Sequence, residues 1–81
     1  MYVEIARTFM SARNVLVDSI TSEAWSALME RIEAMAPERI EEYSTSSGSG
    51  VHVHVASQRG ASGAYAIHDL ACRYGAPVVC R

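Results

Sequence analysis

The spacing of apolar residues along this chain switches between two and three-to-four, and each switch marks an element. In "YVEIARTF", residues 2–9, Val3, Ile5 and Phe9 share one parity and Arg7 interrupts it, the alternation of a half-buried strand. After the polar "MSARN", the run "NVLVDS" continues the apolar parity at Val15 and Val17, so the two runs predict an N-terminal hairpin. The period then lengthens. Trp25, Leu28, Met29, Ile32, Met35 and Ala36 recur every three or four residues, one stripe of an amphipathic helix. Thr21 is placed to cap it, Ile20 and Trp25 to staple it, and Pro37 to stop it. Two β-type runs come next, "RIEEYST" and "GVHVHVAS", joined by the turn-forming "SSGSG". Within the second, Val51, Val53 and Val55 take one face and His52 and His54 the other. A second helical stripe comes from Ala64, Ile67, Leu70, Ala71 and Tyr74, with Ser62 as its expected cap, Gly75 suited to its end and Pro77 beyond. "PVVC" reads as a last short strand.

The resulting order, βαββαβ, resembles the ferredoxin-like fold. The resemblance implies an α+β domain over residues 1–81, an antiparallel sheet with two helices on one face, and an extra strand from the N-terminal hairpin. It places His52 and His54 on the sheet face that the helices leave open. At 81 residues the core is small, because a chain this short buries only roughly 60–65% of the surface it exposes when unfolded. No apolar run approaches the ~18 residues of a membrane span, and "MYVEIARTF" carries Glu4 and Arg7 where a signal peptide would be apolar. A cytoplasmic protein with no membrane association is expected.

Charge narrows the partners. All seven basic residues are arginine and they are scattered, while the net charge is −2, so the concentrated basic footprint of a nucleic-acid binder is missing. Glu30, Glu33, Glu38, Glu41 and Glu42 instead gather within one short stretch, opposed by Arg31 and Arg39. One reading is a solvated helix end; the other is an acidic patch for a basic partner. The two cysteines, Cys72 and Cys80, are too few for a secreted disulfide framework and read as thiols, with a bridge between them left open.

Candidate chemistry centres on "HVH". Two imidazoles on one strand face can offer two ligands to a metal, but zinc needs three or four. His68 and Cys72, one helical turn apart, form a second pair, yet the two pairs belong to opposite sides of the sheet. No metal or other cofactor is therefore expected. Two histidines can also supply acid and base near neutral pH, as in ribonucleases, but no basic groove accompanies them and no aromatic lies beside them on their own strand. The helix entry "SQRGASGA", with Arg59, could face an anion, although its spacing is neither a P-loop nor a dinucleotide fingerprint. "GASG" is not a nucleophile elbow.

With the catalytic readings each failing on a specific count, a non-enzymatic protein-binding module is the expected class. In size, mild acidity and lack of a catalytic motif the chain resembles small phage-encoded inhibitors of host defence, the anti-CRISPR proteins among them. That resemblance implies an acidic surface engaging a basic, nucleic-acid-binding groove of a host effector complex, without direct nucleic-acid contact. Glu33, Glu38, Glu41 and Glu42 would carry the contact, with His52 and His54 on the adjoining face. The alternative is a small RNA-binding protein or ribonuclease using His52 and His54. Monomer and homodimer both remain open, since Tyr65, His68 and Cys72 project from the second helix away from its apolar stripe.

Overall fold

The computed structural model of the protein describes residues 1–56 and 60–80, with Gly60 and Cys80 described by backbone alone. Five strands and two helices succeed one another as β1 (Tyr2–Met10), β2 (Leu16–Asp18), α1 (Ser22–Ala34), β3 (Arg39–Thr45), β4 (Gly48–His54), α2 (Gly60–Arg73) and β5 (Val78–Cys80). Every strand pairing is antiparallel. Across the sheet the order β5-β1-β4-β3 is that of the ferredoxin-like arrangement. β4 takes one edge of β1 along almost its whole length; β5 and β2 share the other, β5 beside Val3–Ile5 and β2 beside Thr8–Met10. The N-terminal hairpin thus adds a short strand that lengthens the sheet without widening it.

One cluster of buried side chains holds the layers together. Val3 and Ile5 of β1 and Val51, Val53 and Val55 at β4 meet Trp25, Leu28 and Ile32 of α1 and Ala64, Ile67, Leu70 and Ala71 of α2. Both helices therefore cover the face that Val3, Ile5, Val51 and Val53 present. Thr21 caps α1 as expected, its hydroxyl accepting from the Ala24 amide at 3.1 Å. Ile20 packs against the core beside it. At the far end of α2, Gly75 takes the left-handed conformation at φ 81°.

Several expectations shift in detail, each for a local reason. Phe9 does not continue the core parity of Val3 and Ile5. A β-bulge between Ala6 and Thr8 absorbs Arg7 as an extra residue and reverses the facing of the strand beyond it, so Phe9 lies opposite Gly48 on the open face and is exposed. Arg7 swings to the helix side and lays its guanidinium over the Trp25 ring, 5.6 Å from the centroid. Val15 is likewise exposed, lying in the β1–β2 connection just before β2 begins. Ala36 is outside the stripe: α1 ends at Ala34, and Ala36 turns left-handed at φ 53° ahead of Pro37. Ser62 lies inside α2, which begins at Gly60, so it does not cap the helix. The β3–β4 turn is only Ser46–Ser47, and Gly48 and Gly50 are strand residues. Of the anion candidate "SQRGASGA", Ser57, Gln58 and Arg59 lie outside the described residues.

Candidate functional site

The open face of the sheet is a grid fixed by strand register. One row reads Val79, Glu4, His52 and Glu41 across β5, β1, β4 and β3; the next reads Tyr2, His54 and Arg39. On the other side lie Ala6, Gly50 and Tyr43. His52 and His54 are on this face, as strand alternation requires, and are about three-quarters buried, with side-chain exposures of 26% and 20%. Neither projects freely. His52 Nε2 is 3.0 Å from Glu4 Oε1 in a hydrogen bond across the β1–β4 pair. His54 Nε2 lies 2.6 Å from Glu41 Oε1 but lacks hydrogen-bond alignment, so the contact is one of charge proximity when the ring is protonated. The same Glu41 oxygen accepts from Arg39 Nε at 2.9 Å.

Aromatic rings fill the spaces between these groups. Tyr43 stacks on His52 with centroids 4.7 Å apart, and Tyr2 packs on the same imidazole at 4.5 Å and on His54 at 5.3 Å. The histidines have no aromatic neighbour on their own strand, yet β1 and β3 supply one each. Burial, and then the charge of Glu4, raise the Tyr43 phenol above its ordinary 10.0. The neutral phenol is therefore the form the fold favours. Its contribution to stability is complete below pH 10 and is lost as the pH rises from there through the raised folded value. A spectrophotometric titration should show the Tyr43 phenolate appearing late. Tyr43→Phe should remove that step, and Glu4→Gln should move it back toward the ordinary value. An unchanged late step in Tyr43→Phe would refute the assignment.

Beside His52 the sheet surface sinks into a shallow depression of about 400 Å³, with Ala6 and Gly48 on its floor and Glu4, Phe9 and Tyr43 around it. Its small floor residues and aromatic sides could accept a flat ring. Among the described residues, no group of three or more histidine, cysteine, aspartate or glutamate side chains is placed to hold a metal ion.

The acidic stretch divides. Glu33 is on the exposed flank of α1 and Glu38 in the loop before β3, its amide donating to the His54 carbonyl at 2.9 Å. Glu41 and Glu42 are neighbours on β3 and so point to opposite sheet faces, Glu41 to the histidines and Glu42 to the helix side, where it borders a depression with Arg7 and Trp25. Glu33, Glu38 and Glu42 make no ion pair among the described residues, whereas Glu41 is held by Arg39. Trp25 and Glu42 bordering one depression sets α1 over the β3 side of the sheet. Arg31 and Ala34 of α1, with Met35 at its C-cap, line a groove facing α2, which leaves Glu33 on the flank turned away from α2. These three carboxylates thus lie along the β3 margin.

Glu4, Tyr2 and Tyr43 are the members of the open-face cluster that sequence reading missed. The signal was present in part: Tyr2 and Glu4 have the parity opposite to Val3 and Ile5. What puts them against the histidines is the β1–β4 register, which alternation alone does not specify. Elsewhere, Cys72 is a free, exposed thiol, and no helix among the described residues is long and apolar enough to cross a membrane. Comparison with protein-family models, with curated proteins and with solved structures finds no match to this chain.

Proposed function

We propose that this protein is a non-enzymatic binding module whose acidic β3 margin docks on a basic, nucleic-acid-binding groove of a host effector complex, in the manner of the phage-encoded anti-CRISPR inhibitors it resembles in size and charge. The observation that supports this reading is the set of exposed carboxylates, Glu33, Glu38 and Glu42, left without cationic partners among the described residues along one margin of the fold. Carboxylates already in ion pairs would have to exchange one partner for another on binding; unpaired ones gain a partner outright. Glu41 joins them from the open face, tied to Arg39 and His54, and the two histidines, His52 and His54, form the adjoining wall of the surface.

The test is a triple charge reversal. Glu33→Lys, Glu38→Lys and Glu42→Lys together should leave the circular dichroism spectrum and melting point nearly unchanged, since all three side chains are exposed. Binding to an RNA-guided effector complex, and its competition with that complex's target DNA, should fall by at least ~100-fold, the scale of losing a few kcal/mol of charge complementarity. Undiminished binding by the reversed chain would overturn the proposal.

A second reading rests on a different observation. The depression flanked by Phe9 and Tyr43 and bordered by the His52–Glu4 pair suits an unstacked base, and points to single-stranded RNA as its ligand. It predicts that His52→Ala or Tyr43→Ala abolishes RNA binding or cleavage while the charge reversals do little.

A further inference from the structure

The outer flank of α2 carries Tyr65, His68 and Cys72, with the exposed Asp69 beside them at the rim of the groove toward α1. Tyr65 is 65% exposed, Cys72 is exposed, and Cys72 Sγ lies 3.6 Å from His68 Nδ1. That separation, a thiol–imidazole hydrogen bond in the metal-free chain, also matches the sulfur–nitrogen edge of a zinc tetrahedron. With Zn–S near 2.3 Å and Zn–N near 2.05 Å at the tetrahedral angle, the sulfur and nitrogen are about 3.6 Å apart. A thiolate beside an imidazole is also a donor set that selects zinc over the oxygen-seeking magnesium and calcium.

We propose that His68 and Cys72 form half of an intermolecular zinc site, completed by the same pair from a second copy of the chain. One chain cannot close it, because no third histidine, cysteine or carboxylate joins the pair among the described residues. A two-fold axis running through the ion brings two sulfurs and two nitrogens together, the closed Cys2His2 set of structural zinc. Each exposed Tyr65, one turn from His68, gains cover against the other helix. Binding is balanced by protons. Each thiol loses one, so one zinc ion bound by two chains releases two protons and leaves a neutral centre.

The experiment is a zinc titration of the metal-free full chain, read by native mass spectrometry and sedimentation. One zinc per two chains, with the mass doubling as zinc is added, is the expected result. Cobalt in place of zinc should give tetrahedral ligand-field bands together with a thiolate charge-transfer band. Cys72→Ser and His68→Ala should each abolish both zinc retention and doubling without unfolding the chain, as both residues sit on the outer helix flank. Cys80→Ala should retain them. Zinc bound by single chains, a dimer of equal strength without zinc, or retention that survives Cys72→Ser but fails in Cys80→Ala would each overturn the proposal.

Discussion

Gly50→Ala should lower the melting temperature by roughly 12–24 °C, the consequence of about 3 kcal/mol in a domain of this size. One methyl group is enough because of where it would point. A Cβ at Gly50 runs into the carbonyl oxygen of Ile5 on the paired strand, and comes within 2.9 Å of the Ala6 Cα and of the Tyr43 hydroxyl. Backbone cannot step aside as a flexible side chain can, so β1 and β4 must separate beside the bulge at Arg7. Gly75→Ala provides the contrast. Its Cβ meets only the Ile20 Cγ2 at an ordinary 3.8 Å, and the cost is the left-handed backbone alone, about 1–2 kcal/mol. Paired thermal melts decide the matter: Gly50→Ala must be the more damaging of the two. The substitution should also reach the candidate site, since Tyr43 has to move off Gly50, loosening its stack on His52 and returning its phenol toward ordinary titration. A Gly50→Ala chain as stable as Gly75→Ala would show that the close approach does not govern the β1–β4 pairing.

The same glycine shows what could be read from the chain and what could not. "SSGSG" looks like a turn because glycine and serine favour turns, but two residues suffice for the connection and the glycines serve the sheet. Their purpose depends on which backbone lies opposite, a fact of register. Elements whose cause is local were legible: the Thr21 cap, the α1 stripe, the valine–histidine alternation and the Gly75 helix end all arise from neighbours in sequence. Elements whose cause is a partner strand were not. Phe9 matches the parity of Val3 and Ile5 on paper, and the bulge at Arg7 turns it outward. The candidate site divides in the same way. Alternation put His52 and His54 on the open face, while Glu4, Tyr2 and Tyr43 joined them only through pairing. Alternation also separates Glu41 from Glu42, although proximity in sequence suggested a single patch.

Leu28→Ala is the complementary case, a loss of contact inside the core. Leu28 has no exposure and lies where α1 meets the sheet, so truncation leaves a cavity that close-packed neighbours only partly fill. The expected cost is about 3 kcal/mol, against a total stability of about 4–12 kcal/mol for a chain of 81 residues. The urea midpoint should fall by a quarter or more with an unchanged slope, because the surface exposed on unfolding is nearly the same. Leu16→Ala, at a leucine 52% exposed on β2, should change the stability by no more than about 0.5 kcal/mol. The pair also separates folding from recognition. Leu28→Ala leaves every acidic side chain of the β3 margin in place, so its binding should decline only by the fraction unfolded and recover on stabilisation by an osmolyte. The charge-reversed chain is folded and should not recover. If Leu28→Ala, once restored to the folded state, still failed to bind, the contact would have to lie on the packing of α1 itself and not on the carboxylates along its margin.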